Sequence, residues 1–324
     1  MREIRYREAL TEALHEEMLR DEKIIILGED VGVYGGIFKV TNGFLDEFGP
    51  ARVMDTPIAE NAIMGLSAGA AMLGQRPVLE IMYMDFFTLA LDQLVNGAAA
   101  LPFVYGGQVE MPLVIRTQGG AGSCAGAQHS KSLEAWIAHI PGVRVAMPST
   151  PFDAKGLLKS AIQDKKLTVV IEHKQLYNTR GPVPEEEYTI PFGKADVKRR
   201  GTDITVIATS RMVLEALSAA EMLSKDGIDI EVVDPRSLRP LDKKTILESV
   251  AHTHRAMVVH EAWRTGGFGA EIAAMISEEG FDYLDGPVTR LAGTDIPIPY
   301  SPALEPHVIP NAETIAAQIR KVLK

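Results

Sequence analysis

The sequence predicts two α/β domains of unequal size, each a parallel sheet covered by helices, and three observations carry that prediction. Runs rich in Val, Ile and Leu alternate with stretches of helical periodicity almost throughout. The runs are continuous rather than alternating, as in strands buried on both faces. The alternation stops once, over residues 174–203, and then resumes in a chain of 324 residues, long enough for two cores.

In order, an amphipathic stretch at 5–20 predicts the first helix and KIIILG (23–28) the first strand. A helix over 58–73 follows, with Thr56 as its N-cap and Pro57 at its first helical position. RPVLEIM (76–82), PLVIRT (112–117), VRVAMP (143–148) and TVVIEH (168–173) read as further strands, with helices near 86–100, 131–139 and 152–163 between them. Residues 174–203 are polar, contain Pro182, Pro184 and Pro191, and lack helical periodicity. This places a first domain at 1–178, a partly extended linker at 179–203 and a second domain at 204–324. In the second domain DITVIAT (203–209), DIEVVDP (229–235), AMVVHEA (256–262) and VTRLAG (288–293) alternate with helices near 211–225, 242–251, from 268, and 311–323.

A net charge of −10 argues against nucleic acid or an anionic membrane as the main partner. The single cysteine, Cys124, excludes an internal disulfide and suits a reducing cytoplasm or matrix. The charged N-terminus does not read as a signal peptide. The apolar stretch 55–77 is too broken by polar residues for a membrane span.

Within that stretch Glu60 is the only charge between Asp55 and Arg76. One reading is an anion favoured by the helix dipole, worth about 0.3–1 kcal/mol. The glycines suggest another. Gly65, Gly69 and Gly74 weaken the helix but let a second backbone come close, so the helix belongs in an interface and Glu60 shares its burial. A buried carboxylate needs a partner or a proton, and no cation stands beside it in sequence.

The spacing Glu60, Gly65, Leu66, Gly69, Ala70 resembles the pyrimidine-domain signature of thiamine diphosphate enzymes. GEDVGVYGGIFKVTNGF (28–44), DTPIAE (55–60), AQHSKSLEAW (127–136) and PSTPFDAKGLLKSAI (148–162) look like the beta subunit of the first component of 2-oxo acid dehydrogenase complexes. The resemblance spans nearly the whole chain and implies a transketolase-like pyrimidine-binding domain followed by a transketolase-like C-terminal domain. It implies that Glu60 hydrogen-bonds the cofactor's aminopyrimidine ring and so promotes deprotonation of the thiazolium. Phe86 then matches the aromatic residue stacked on that ring, Met82 and Ile58 line the same pocket, and Glu29 lies close by. His129 matches a histidine at the mouth of the active site, implicated in acyl transfer to lipoamide. Leu113, Ala161, Ile162 and Asp164 match positions that hold a potassium ion in many members.

Each of these residues also has a plain structural reading: core for Met82 and Phe86, a solvated loop acid for Glu29, a structural histidine for His129. Cys124 as a catalytic thiol is the weakest functional reading. The GGFG of HEAWRTGGFGAEIAAMI (260–276) lacks dinucleotide-fingerprint spacing and reads as close packing at a domain or subunit interface. His252 and His254 do not share a helix face, so they make no metal pair.

The family signature for magnesium and diphosphate, GDG followed by Asn-Asn, is absent; GED at 28–30 is the nearest match. The resemblance therefore implies an alpha subunit that holds magnesium and the diphosphate, an α2β2 heterotetramer, and a lipoyl-bearing acyltransferase as the further partner. Residues 118–126 look more like acetoin-type subunits, which favours acetoin over pyruvate, with branched-chain acids third. The alternatives are a transketolase-like fragment and a non-enzymatic flavodoxin-like binding or electron-transfer scaffold.

Overall fold

In the computed structural model, which describes residues 1–324, the chain divides into residues 1–119 with 136–192 and residues 120–135 with 193–324. The first unit contains β1 (Arg2–Arg5), α1 (Tyr6–Arg20), β2 (Ile24–Gly28), α2 (Phe44–Phe48), β3 (Val53–Asp55), α3 (Glu60–Met72), β4 (Arg76–Ile81), α4 (Phe87–Asp92), α5 (Leu101–Val104) and β5 (Val114–Gly119). After the short α6 (Glu134–Ala138), which straddles the division, come β6 (Arg144–Ala146), α7 (Pro151–Gln163), β7 (Thr168–His173) and β8 (Arg180–Val183). Its main sheet runs β6-β7-β5-β4-β2-β3, all parallel.

The second unit contains β9 (Asp196–Arg199), β10 (Ile204–Ala208), α8 (Met212–Ser224), β11 (Ile230–Asp234), β12 (Ser237–Arg239), α9 (Lys243–Thr253), β13 (Ala256–Trp263), α10 (Gly269–Glu279), β14 (Thr289–Gly293) and α11 (Ala312–Val322). Its sheet runs β14-β13-β10-β11-β9, parallel except for β9 at one edge. β2, β4 (after Arg76), β5, β7, β10 and β11 are buried along their lengths, as continuous apolar runs require.

Three elements depart from the sequence expectation. The helix expected over 58–73 starts at Glu60, not beside Thr56, because the Thr56 N–H donates to the Gly28 carbonyl (3.0 Å) and carries the chain on beside β2. The N-cap is Ala59, without a side-chain cap. The helix expected over 86–100 is broken into α4, a π-helical stretch Gln93–Ala98 and α5. The run Phe87–Val104 is long and apolar enough to cross a membrane by length and composition, but these three pieces divide it. Residues 179–203 hold β8, paired antiparallel with β1, and β9, paired antiparallel with β11.

One charged group lies at the centre of the first sheet. Arg116 of β5 is in register with Glu80 of β4 and with Val170 of β7, two residues before Glu172. Its Nη1 donates to Glu80 (2.6 Å), while Nε and Nη2 make a fork on Glu172 (2.7 and 2.9 Å). The Tyr177 hydroxyl also donates to Glu172. All three charged side chains are buried. Burial drives the Glu80 carboxyl above the usual range against the pull of Arg116. Removing one partner of such a group strands the other charges, at a cost of about 3–5 kcal/mol. Arg116→Met should lower urea-unfolding stability by that amount at pH 8. The deficit should shrink at pH 5, where the stranded carboxylates take up protons; a deficit independent of pH would show that lost packing, not charge, carries the cost.

Candidate active site

β2 ends at Gly28, level with Asp55 of β3 and Glu80 of β4. Glu29 and its loop follow directly, beyond the carboxyl ends of the strands, where open α/β sheets bind ligands. Asp55 holds that loop by accepting the N–H groups of Gly32 (2.6 Å) and Val33 (3.0 Å). Glu60 is the first residue of α3 and is 6% exposed. Burial raises the Glu29 carboxyl above its ordinary range, and the charge of Glu60 raises it further. The two acids are thus close enough to repel. A proton or a nitrogen-bearing ligand shared with Glu60 would relieve that repulsion.

Met82 and Phe86 follow β4, both half-buried, and Phe86 is the N-cap of α4. The Asn61 side chain reaches the Leu89 carbonyl (3.5 Å), tying the start of α3 to α4. A buried carboxylate, an aromatic ring and a thioether on these adjoining elements suit one end of a flat heteroaromatic ring. Ile58 is different: it is 80% exposed.

The exposure pattern of α3 is itself informative. Ile63, Met64, Ser67, Ala68 and Ala71 are buried, whereas Leu66 is 58% and the following Leu73 87% exposed. A Cβ on Gly65 would stand 3.3 Å from Gln93 Oε1, so that glycine admits the π-helical stretch. A Cβ on Gly69 would meet nothing within 4 Å. The glycine spacing is therefore only half used inside this chain.

His129 lies in the second unit, half-buried, and its N–H donates to the Gly126 carbonyl (3.3 Å). Cys124, in the same loop, hydrogen-bonds through its thiol to Glu305, which raises the thiol pKa. That is the opposite of what a nucleophilic cysteine requires. Glu134, at the start of α6, is buried, and its Oε2 has no hydrogen-bond partner. Burial, partly offset by a backbone hydrogen bond and reinforced by the charge of Glu261, raises its carboxyl to about 7.

The residues matched to a potassium site are differently engaged. The Leu113 carbonyl accepts the Thr168 N–H (2.9 Å). The carbonyls of Ile162 and Asp164 both accept from the Arg76 guanidinium. The Asp164 carboxylate pairs with Arg144. Ala161 is buried in the last turns of α7. The Ile162 and Asp164 carbonyls thus already hold a cation belonging to the chain, and this arrangement does not fit a bare potassium ion. No group of three or more His, Cys, Asp or Glu side chains is placed to hold a metal.

Two glycines of GGFG make room within their own unit: a Cβ on Gly267 or Gly269 would strike the His260 ring. His260 is buried with neither ring nitrogen partnered, and burial lowers its pKa to about 4. His254 ends α9 with a left-handed backbone (φ 59°) and its Nδ1 meets the Tyr283 carbonyl (3.0 Å), a capping role.

Glu134 makes a pH signature. Its folded pKa lies above the unfolded value, so its contribution favours folding at pH 5 and is lost as the pH rises through about 7. Glu134→Gln should flatten the fall in unfolding free energy between pH 5 and pH 8 by on the order of 3 kcal/mol. Urea titrations at the two pH values measure this, and equal slopes for both proteins would show that Glu134 ionises normally.

Comparison with known proteins is consistent across the chain. Residues 2–180 match the family model "Transketolase, pyrimidine binding domain", and residues 193–315 match "Transketolase, C-terminal domain". The chain is 44% identical to the pyruvate dehydrogenase E1 component subunit beta-2, mitochondrial, of Oryza sativa subsp. japonica, over 99% of this chain and 86% of the relative. It is 44% identical to the pyruvate dehydrogenase E1 component subunit beta of Rickettsia conorii, over 99% and 98%. Identity to the 2-oxoisovalerate dehydrogenase subunit beta of Bacillus subtilis is 45%, over 98% of each. The solved structure of a split gene transketolase, an inactive beta4 tetramer, superposes with a TM-score of 0.80 at 25% identity, over 99% of this chain and 98% of that one.

Proposed function

The chain belongs to the family of E1 beta subunits of 2-oxo acid dehydrogenases, which are thiamine diphosphate-dependent oxidoreductases, and from that premise we propose that it provides the aminopyrimidine half of a cofactor site completed by an alpha subunit. The observation that carries this reading is the pairing of a buried acid with an uncovered apolar surface on one helix. Glu60 is 6% exposed, while Ile58 just before α3, Leu66 within it and Leu73 just after it are 80%, 58% and 87% exposed. Apolar surface of this kind marks a site for another polypeptide.

The residues fit one end of the cofactor. Glu60 would accept a hydrogen bond from a protonated ring nitrogen, Phe86 would stack on the ring, and Met82 would close its edge. Glu29 lies close by, its carboxyl raised by burial and then by the charge of Glu60. When bound, thiamine diphosphate supplies a nucleophilic carbon and an electron sink that this chain's side chains lack. Magnesium and the diphosphate fall to the alpha subunit. His129 would hold or move a proton during acyl transfer to the lipoyl group of the acyltransferase. An imidazole suits this near neutral pH.

The substrate is a 2-oxo acid. Two named relatives are pyruvate dehydrogenase subunits and one is a 2-oxoisovalerate dehydrogenase subunit, so pyruvate and 3-methyl-2-oxobutanoate come before acetoin. The α2β2 assembly follows from the same reading, and the inactivity of the beta4 tetramer of the split gene transketolase is in keeping with it. With a single cysteine, the chain suits the cytoplasm. The flavodoxin-like scaffold does not survive the family assignment.

Reconstitution with an alpha chain bearing GDG and Asn-Asn tests the proposal. Activity should require both chains, and Glu60→Gln should cut kcat by about 10²-fold or more while the tetramer still assembles. An active Glu60→Gln enzyme would remove Glu60 from the mechanism. Assays with pyruvate, 3-methyl-2-oxobutanoate and acetoin identify the substrate.

For potassium, Arg76 and the ion compete for the Ile162 and Asp164 carbonyls. Exchanging NaCl for KCl at constant ionic strength should leave the wild-type Tm unchanged and raise that of Arg76→Ala. A potassium-specific rise in the wild type would mean that Arg76 yields to the ion.

A further inference from the structure

The loop that leads to His129 has a backbone that alternates in an unusual way. Gly120, Gly122, Cys124 and Gly126 all have left-handed φ, at 89°, 96°, 55° and 71°. Such alternation turns neighbouring N–H groups toward one side and builds a concavity for an anion. Two anions from the same unit face these N–H groups. Glu261 Oε1 accepts the Ala121 N–H at 2.6 Å. Glu305 uses both oxygens: Oε1 accepts the Gly122 N–H and Oε2 the Cys124 N–H, each at 2.9 Å. Glu305 is 3% exposed, so these bonds form away from competing water.

Neighbouring contacts reinforce the clamp. Ala121 is buried with Ile298, Val308 and Ile309. A Cβ on Gly126 would collide with the Tyr300 ring, so only glycine lets the backbone lie there. The His129 N–H closes back on the Gly126 carbonyl. Between Cys124, pinned by Glu305, and His129 there is little chain left free to wander.

We infer that Glu305, with Glu261 beside it, is a positioning residue for His129: two carboxylates of the C-terminal domain grip the backbone of residues 121–124 and thereby set where the histidine stands during acyl transfer. The inference rests on the role given to His129 under Proposed function. It assigns no contact between Glu305 and the reacting atoms. A carboxylate is needed because two N–H donors converge on one side chain, and a glutamine can accept through one atom only.

The test uses the reconstituted α2β2 enzyme. Amide exchange at Gly122 and Cys124 should accelerate at least tenfold in Glu305→Ala. With a lipoyl domain as acceptor, Glu305→Ala should lower kcat about tenfold with KM for the 2-oxo acid within twofold of wild type, and Glu305→Gln should restore part of the loss. The double variant Glu305→Ala/His129→Ala should be no slower than His129→Ala alone. Unchanged exchange overturns the clamp whatever the kinetics do. Multiplicative losses in the double variant, or a change confined to KM, overturn the positioning of His129. A fully active His129→Ala enzyme instead removes the role proposed for His129, and exchange then decides the clamp by itself.

Discussion

Three strands at the middle of the first sheet are locked to one another by a single guanidinium. Parallel strands buried on both faces offer few cues to register, because most residues along them are apolar and interchangeable. Arg116 supplies a cue. Slipping β5 by one residue would turn the guanidinium to the other face and leave Glu80 and Glu172 without a cation. A buried ion pair is poor evidence of net stability, and its better attested use is to specify arrangement. The candidate site inherits that arrangement: Gly28 is paired with Glu80, so Glu29 leaves the sheet at the level Arg116 sets, and Met82 follows two residues after Glu80.

Acids recur in each unit, and their environments divide the work. Burial, and after it the charge of Glu60, raises the Glu29 carboxyl above its ordinary range. Glu261 and Glu305 are satisfied by backbone N–H groups and serve as fixed anions. Glu134 has one backbone hydrogen bond and an unpartnered Oε2, and burial pushes it toward its neutral form. The same functional group thus provides chemistry, anchoring and a pH response according to what surrounds it.

Most of the fold was legible because buried strands write themselves as long apolar runs, which neighbouring turns cannot disguise. Helix boundaries were less so. Thr56-Pro57 has the composition of a helix start, yet pairing of the Thr56 N–H with Gly28 prevails and the helix waits until Glu60. β8 and β9 are short and polar, and only their antiparallel partners make them strands. In the site, Glu60 stood out because a lone charge in an apolar helix is conspicuous. Glu305 did not, since 183 residues separate it from Gly122 and nothing local in LEPHV marks it. Arg76 was read as the charge that ends an apolar stretch, and its place on the Ile162 and Asp164 carbonyls depends on how β4 and α7 end in space.

The exposed residues of α3 and its surroundings complete the physical picture. A helix that is apolar almost all round would ordinarily be covered on all sides. Here Leu66, Met72, Leu73, Leu89, Phe103 and Val104 are all exposed on neighbouring elements of one unit. A monomer gains nothing from that surface, and it invites aggregation. A second chain laid over these residues would remove the apolar surface from water, while Glu60 is already buried within this chain.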